Sequence, residues 1–333
     1  MSDLDFDFGP TFVPSRERIK GESDERYARA GKSLSFGHSF LDDALTGILS
    51  NDLILVGAET GAGKTHFVMQ LAIANARAGK RVHYVALEAE DREIERRQIH
   101  ATVARRLSVI GKHPPTFAEW MIGLGDPVLD RECTESFETE VGANLETYYK
   151  GSRFTVNELR KIFLAAQAET DLLILDHLHY VDIDDPNENR GLKELVKTLR
   201  DIALGMGRPV ILVAHLRKRD HKAKAIAPSI DDFHGASDIA KIATRAVIIS
   251  PARCMRSDVP GKSNTFFQVV KDRFDGAKPF VALSAFNLKT RDYSAAYTLG
   301  QETADGGWQG IDSKFIPRWA RRHTEYNHQR GLV

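Results

Sequence analysis

The chain has 333 residues, which is long enough for one large α/β domain or two small ones. It is 42% hydrophobic and 28% charged, the composition of an ordinary soluble protein, and its 46 basic and 46 acidic residues give a formal net charge of zero. Any surface for nucleic acid must therefore be a local concentration of positive charge, because the chain as a whole has no excess of it.

Membrane, secreted and zinc-binding classes are not favoured by this sequence. No apolar run approaches the ~20 residues of a membrane-spanning helix, and the acidic N-terminus lacks the basic and apolar regions of a signal peptide. Cys133 and Cys254 stand far apart and form no Cys-x-x-Cys pair. We therefore expect no structural zinc, no membrane partner and a location in the reducing cytoplasm.

The pattern of strands and helices predicts three segments. Residues 1–34 are rich in charge and predict an N-terminal arm or linker with at most one helix, near 22–30; a disordered tail is the alternative. Residues 35–300 alternate strand and helix patterns, which predicts an α/β domain with a mostly parallel twisted sheet and helices on both faces. Residues 301–333 are predicted to form a basic C-terminal tail.

Within the central segment the elements follow one another in a regular order. The predicted strands are 53–57, 82–87, 172–176, 209–214, 246–250, 266–271 and 280–286. The predicted helices are 64–78, 91–107, 156–168, 188–206 and 237–244. Residues 111–150 contain several prolines and glycines and break the alternation, so we interpret them as an insertion packed beside the core.

A glycine-rich segment, Ala58-Glu-Thr-Gly-Ala-Gly-Lys-Thr65, lies between the first predicted strand and helix. This layout binds nucleotide phosphates, because loop N–H groups turn inwards and the positive end of the helix faces the anion. Lys64 is predicted to reach the β- and γ-phosphates, and the Thr65 hydroxyl to hold Mg²⁺. The predicted ATP-binding residues are Ala58, Gly61, Ala62, Gly63, Lys64, Thr65, His66 and Asp176.

Two buried strands end in a carboxylate. The strand 82–87 is followed by Glu88, which is predicted to polarise the attacking water, although Glu90 or Asp91 remains an alternative. The strand 172–176 ends in Asp176, which is expensive to bury unless it has a role and is predicted to orient Mg²⁺ opposite Thr65.

The strand 209–214 is followed by His215 and then by a basic run. His215 is predicted to hydrogen-bond the γ-phosphate and report its presence; a satisfied core histidine is the alternative. Movement at His215 would move the basic run, which is predicted to bind a nucleic-acid backbone; a plain solvated loop is the alternative. The predicted nucleic-acid contacts are Arg217, Lys218, Arg219, Lys222 and Lys224.

A last pair of cations, Lys271 and Arg273, closes the strand 266–271. Two residues apart on a strand, they lie on one face. They are predicted to reach the nucleotide of a neighbouring subunit as a finger acting in trans, a role for which Arg is suited because it stays charged and matches phosphate oxygens. A surface pair of cations is the alternative.

Taken in order, these motifs resemble the motor domain of DnaB-like hexameric replicative helicases, including phage primase-helicases, within the RecA-like P-loop NTPases. The resemblance covers roughly residues 35–297. The segments that carry it are Ala58 to Thr65, Tyr84-Val-Ala-Leu-Glu88, Leu175-Asp-His-Leu-His-Tyr-Val, Ala214-His-Leu216 and Lys271-Asp-Arg-Phe274. The last of these is the most specific match.

The resemblance implies a homo-oligomer, a ring of six, with ATP and Mg²⁺ at each interface and single-stranded DNA in the channel, and with a primase and a loader as replication partners. Lys64, Thr65, Asp176 and Glu88 would then come from one subunit and the finger from the next. Two features depart from the family. The chain has room for neither the N-terminal helical domain nor the primase of family members, and Asp232-Phe-His replaces the usual Asp-Leu-Arg.

The leading hypothesis is therefore an ATP-dependent DNA helicase motor of phage or plasmid type, stimulated by DNA. A RecA-like recombination or annealing ATPase is a second hypothesis. A regulatory or defence ATPase that uses nucleotide state only for assembly is a third.

Overall fold

The computed structural model describes residues 13–28, 33–59, 61–151, 154–166, 168–217, 227–233, 237–253, 261–304 and 307–321. The chain divides after Ser33 into two compact units. The first contains two short helices, α1 (Ser15–Arg18) and α2 (Glu22–Ala28), neither of which buries a residue. Three acidic residues in the first turn of α2 favour a helix there, because they face its positive end.

The second unit holds all the other described elements. Its helices are α3 (Ser39–Leu45), α4 (Lys64–Arg77), α5 (Glu93–Val109), α6 (Phe117–Met121), α7 (Pro127–Phe137), α8 (Val156–Ala166), α9 (Glu188–Met206) and α10 (Ser237–Ile242). Its strands are β1 (Leu53–Ala58), β2 (Val82–Ala86), β3 (Leu145–Tyr149), β4 (Leu172–Asp176), β5 (Val210–His215), β6 (Arg245–Pro251), β7 (Lys262–Asp272), β8 (Val281–Asn287), β9 (Asp292–Glu302) and β10 (Trp308–Gly310). None of the helices in the described ranges is long and apolar enough to cross a membrane.

The described strands form one sheet in the order β10-β9-β8-β7-β6-β1-β5-β4-β2-β3. The pairings from β3 across to β6 are parallel, and those from β6 to β10 are antiparallel. Because parallel strands all point the same way, the carboxyl ends of β1, β2, β4 and β5 meet at a single edge. That edge positions the candidate site.

Helices cover both faces of the parallel half. Ile54 and Val56 of β1 belong to one buried cluster, together with side chains of α3 and α4. Leu53 and Leu55 belong to a second cluster, together with side chains of α8, α9 and α10. A strand buried on both faces reads as a continuous apolar run, which is why Leu53-Ile-Leu-Val predicts it well. The predicted α/β fold class is confirmed.

The ends of the predicted elements agree with the structure to within a few residues, and α9 agrees at both ends. The Asn187 side chain caps the start of α9 by accepting from the Arg190 N–H, and Gly207 ends the helix with φ of 65°.

The interpretation of residues 111–150 as an insertion beside the core is wrong for their last part. Residues 145–149 form β3, which pairs in parallel with β2 as the edge strand of the sheet. The sheet also continues past residue 300, because β10 pairs with β9.

Candidate nucleotide-binding site

The glycine-rich segment forms a turn between β1 and α4. Ala58 is the last residue of β1 and Lys64 is the first of α4, and Gly61 and Gly63 have φ of 80° and 82°. These left-handed angles favour glycine, which explains the two glycines of the motif. The turn therefore has the strand–loop–helix geometry that the sequence predicts, and the amino end of α4 opens towards the carboxyl edge of the sheet.

The register of the sheet brings the ends of three strands to this turn. Ala58 pairs with His215 at the end of β5, and Asp176 pairs with Ala86 at the end of β2. The Leu87 N–H donates to the Asp176 carbonyl over 2.7 Å, which holds the loop carrying Glu88 against β4. The backbone alone thus places the carboxylates and the histidine beside the glycine turn.

A cavity of about 670 Å³ lies at this edge, a volume typical of small-molecule sites. It is lined by the turn, by the ends of β2, β4, β6 and β8, and by residues of α5 and β7. Its lining residues are Gly61, Ala62, Gly63, Lys64, Thr65, His66, Glu88, Ala89, Glu93, Arg97, Asp176, Pro251, Ser263, Asn264, Thr265, Phe286, Leu288 and Arg291. Of the predicted ATP-binding residues, all but Ala58 line it.

Lys64 is the centre of a compact polar cluster. Its side chain is only 10% exposed, and its Nζ lies 3.1 Å from Glu88 Oε2 and 3.2 Å from His215 Nε2. A buried ammonium requires such partners, because it loses its hydration. The same Nζ position is the one from which a lysine at a helix start reaches phosphate oxygens.

His177 belongs to the same polar cluster. It is 1% exposed, its Nε2 lies 3.2 Å from Glu88 Oε2, and its Nδ1 accepts from the His179 N–H. Because Nδ1 accepts, the proton of the neutral ring is on Nε2, which lies near Glu88 but makes no hydrogen bond among the described residues. Burial, reinforced by the charge of Lys64, lowers the pKa of His177 to about 2. His177 therefore stays neutral beside Glu88.

Asp176 is buried with one oxygen unused. The Tyr84 hydroxyl donates to Asp176 Oδ2 over 2.8 Å, whereas Oδ1 has no hydrogen-bond partner among the described residues. Burial raises the pKa of the carboxyl, while the Tyr84 bond, the Lys64 charge and the Thr65 hydroxyl lower it. A buried unsatisfied carboxylate oxygen beside a threonine hydroxyl suits a hard cation such as Mg²⁺, which prefers oxygen ligands. The residues present therefore fit the predicted metal.

His66 and Tyr293 both contact the Phe286 ring. His66 lines the cavity and contacts the Phe286 ring edge-on, and burial lowers its pKa to about 3, with Arg97 and Arg291 adding to the effect. Tyr293 is buried and donates to the Ala62 carbonyl over 3.2 Å. Tyr293 thus supports the turn from the core and does not line the cavity.

Lys271 and Arg273 lie at the other end of the strands, where the parallel strands begin. Lys271 pairs with Ala246 at the amino end of β6, whereas Ala58 pairs with Ile249 near the carboxyl end. The Lys271 ammonium donates to the carbonyls of Ala240 and Lys241 at the end of α10. The structure therefore does not bring these two cations into this chain's own cavity.

The predicted nucleic-acid contacts are mostly outside the described residues. Lys218, Arg219, Lys222 and Lys224 lie in the range 218–226, which the structure does not describe. Arg217 is exposed, and its N–H donates to the Asp232 carbonyl over 2.7 Å. The basic run therefore begins two residues after the histidine that pairs with Ala58.

Sequence reasoning missed His177. His177 follows Asp176 directly, so its position next to a predicted metal ligand was the available signal. For Tyr293, an aromatic residue near the end of the last predicted strand, the sequence favours a core role over stacking on the adenine, and the side chain is buried in the core.

Fold and site together define a phosphate-loop α/β domain. The model described as an AAA domain matches residues 32–221, more than half of the chain, and the chain belongs to this family. The DNA helicase/primase of Enterobacteria phage T3 is 24% identical over 287 residues, covering 82% of this chain and 48% of that protein. The chain thus spans about half the length of this curated relative.

Two solved structures share the fold. One, described as an ATPase domain, has a TM-score of 0.68 and 15% identity, over 85% of this chain and 99% of that one. The other, a DnaB-like replicative helicase studied with its primase interactions, has a TM-score of 0.68 and 15% identity, over 84% of this chain and 68% of that one. The predicted resemblance to DnaB-like helicases is confirmed at the level of the fold.

Proposed function

We propose that this chain is the motor domain of a DNA helicase that hydrolyses ATP at the interfaces of a hexameric ring and translocates on single-stranded DNA. The observation that carries the proposal is the placement of two sets of residues. Lys64, Thr65, Asp176 and Glu88 surround one cavity, while Lys271 and Arg273 lie at the opposite edge of the same sheet. The two sets of residues cannot meet within one chain. They form a complete site only where the cavity of one copy faces the two cations of another copy.

The residues of the cavity have separate roles in hydrolysis. The N–H groups of the turn and the Lys64 ammonium bind the β- and γ-phosphates. Thr65 and Asp176 would hold Mg²⁺, which would supply positive charge to neutralise the charge that develops on the phosphate oxygens. A triphosphate competes with Glu88 for Lys64, and Glu88 then orients the attacking water.

Arg273 supplies the remaining charge from the neighbouring subunit. Its side chain is exposed and forms no ion pair with any residue that the structure describes. Burial lowers the pKa of Lys271, and the nearby Arg273 lowers it further, so the two cations repel each other. A phosphate between them relieves this repulsion, which suits the pair to a nucleotide held by another chain.

His215 links hydrolysis to movement of the nucleic acid. Its ring lies 3.2 Å from the Lys64 ammonium, so loss of the γ-phosphate changes its surroundings. The basic run starts two residues later and carries positive charge that binds a sugar-phosphate backbone. The partners of this motor are single-stranded DNA, further copies of the chain, and a primase and a loader.

Mixed rings test the proposal. Arg273→Ala and Lys64→Ala are each expected to lose ATP hydrolysis, the finger alone being worth about 10³-fold or more. Rings that contain both variants regain activity, because some interfaces join an intact turn to an intact finger. The absence of recovery at every mixing ratio would refute action in trans.

A forked-duplex unwinding assay tests the helicase function itself. ATP-dependent strand separation supports the proposal. Strand exchange on filaments would favour a recombination ATPase, and hydrolysis indifferent to DNA would favour a regulatory or defence ATPase.

A further inference from the structure

Arg245 is the largest fully buried side chain of the described structure. It begins β6 and is 2% exposed. A guanidinium in such a place is costly unless its donors are satisfied. Three of its nitrogens donate to two carboxylates and two carbonyls, the acceptors being Asp52 at 3.0 Å, Asp272 at 3.3 Å, Gly47 at 2.7 Å and Leu45 at 3.2 Å.

One arm of Arg245 reaches the start of β1. Asp52 stands directly before this strand and is fully buried. It also accepts from the Thr244 hydroxyl over 2.8 Å and from the Leu49 N–H over 2.9 Å. β1 then runs straight to Ala58 and the glycine turn. This arm is therefore anchored to the strand that carries the phosphate-binding turn.

The other arm reaches the segment between the two finger cations. Asp272 ends β7, and its side chain is fully buried, whereas the neighbouring Lys271 is half-buried against α10 and Arg273 is exposed. The Phe274 N–H donates to Asp272 Oδ1 over 3.2 Å, and the Arg245 guanidinium lies over the Phe274 ring at 5.0 Å. The bend that carries Arg273 is thus fixed on both sides by contacts with Arg245 or its partner.

The bend needs such an anchor because the strand before it is irregular. The register of β6 and β7 shifts between Ala246 and Val247, which leaves Val270 as an extra residue just before Lys271. A bulge of this kind bends and twists a strand.

We propose that Arg245 positions Arg273 for its role in the neighbouring subunit's site, by tying the finger bend through Asp272 to Asp52 and β1. The inference rests on the proposed function, in which Arg273 acts in trans. Arg245 is a positioning residue, since its buried guanidinium does not reach a nucleotide. Arg245 therefore connects β1, which leads to the phosphate-binding turn of the same subunit, with the bend that carries Arg273 towards the neighbouring subunit.

Arg245→Lys tests this link, because it keeps the charge between the two carboxylates but loses the fork that bonds to both. The expected result is a kcat for ATP hydrolysis lower by about 10- to 100-fold, as for a catalytic group displaced by about an ångström. The affinity of the variant's own site for a fluorescent ATP analogue stays within a few-fold of wild type. Asp272→Asn is a second variant, with the same pattern and a smaller loss.

Mixing experiments assign the defect to one side of the interface. Rings of Arg245→Lys and Lys64→Ala recover activity, because the Lys64 variant brings an intact finger to an intact turn. Rings of Arg245→Lys and Arg273→Ala do not recover, because every finger in them is defective. Ile248→Val, a buried change in the same strand, is the control for a general loss of packing and keeps the wild-type kcat.

Three results would overturn the inference. They are a wild-type kcat for both Arg245→Lys and Asp272→Asn, recovery with Arg273→Ala, and failure to recover with Lys64→Ala. If mixed rings of Arg273→Ala and Lys64→Ala recover activity but mixed rings of Arg245→Lys and Lys64→Ala do not, the inference alone fails. If that first pair also shows no recovery, action in trans and the inference fail together.

Discussion

Among single residues, Lys64 has the most direct consequence. It is buried at the start of α4, within 3.1 Å of Glu88. Lys64→Ala removes the ammonium that binds the β- and γ-phosphates, and we expect ATP turnover to fall by about 10²-fold or more, since one lost oxyanion-type contact costs that much. Steady-state phosphate release measures the effect.

Lys197→Ala is the matched control for this change. Lys197 is an exposed lysine of α9 whose ammonium pairs with Glu194 on the surface. Its loss should leave turnover unchanged. Turnover retained in the Lys64 variant would remove the assignment of the turn as a phosphate site.

The buried His38 predicts a pH dependence of stability. Burial lowers its pKa from 6.5 to about 3, and its ring stacks on Phe267 at 4.0 Å. Between these two pH values the unfolded chain binds a proton that the folded chain does not, so stability is lost as the pH falls below 6.5. From pH 7 to 5.5 the cost is about 1 kcal/mol.

Urea unfolding of His38→Gln at several pH values measures this cost. The variant is less stable at neutral pH because it loses the ring contact, but its free energy of unfolding declines less steeply on acidification. His113→Gln, at an exposed position, serves as the control. Parallel pH curves for wild type and His38→Gln would contradict the argument.

Among the elements, the turn between β1 and α4 depends on β9. A Cβ at Gly63 would lie 2.8 Å from the Tyr293 hydroxyl, and φ there is 82°. Gly63→Ala therefore suffers both backbone strain, about 1 kcal/mol, and a clash. We expect it to weaken binding of an ATP analogue, and we expect Tyr293→Phe to weaken it less, by loss of one hydrogen bond worth about 1 kcal/mol.

The double variant distinguishes strain from contact. Tyr293→Phe removes the clashing oxygen, so the two losses should sum to more than the loss of the double variant. Gly79→Ala is the control, because Gly79 has φ of 74° with no atom within 4 Å of its Cβ. It should lower stability without changing nucleotide affinity. Strict additivity would mean that Tyr293 does not restrict the turn.

The elements differ in how far the sequence could predict them. Strands of the sheet centre, such as β1 and β4, are buried on both faces and read as unbroken apolar runs. β3 is an edge strand with exposed side chains, and it follows a segment rich in turn signals, so its pattern was not recognisable. β9 reaches Glu302 as part of an antiparallel extension whose pairing only the folded sheet determines.

The residues of the candidate site also differ in how far the sequence could predict their positions. Glu88, Asp176 and His215 each follow an apolar run, and the sheet brings them to one edge as that pattern predicts. Arg245 gave no such signal, because a buried charge is recognisable only from the carboxylates that surround it in space. The catalytic roles of Glu88, Asp176 and His215 stay predictions.

At the scale of the whole molecule, a chain without net charge can bind DNA only through a local concentration of positive charge. Nine residues after His215 carry five Lys or Arg and one Asp, although the chain's formal net charge is zero. Arg217 is exposed and held at its backbone by Asp232, so the run starts from a fixed point beside the nucleotide site. We expect the positive charge of this run, and not that of the surface in general, to bind single-stranded DNA.

Replacing Arg217, Lys218 and Arg219 with Ala tests this expectation through salt dependence. Each lost phosphate contact lowers the slope of log binding constant against log salt by about 0.7 for a single strand, so the triple variant should lose up to about 2. Fluorescence anisotropy with an oligonucleotide at several salt concentrations measures it. Replacing three exposed cations elsewhere, Arg92, Arg106 and Arg131, should leave the slope unchanged, and equal slopes for both triple variants would assign the run to plain solvated surface.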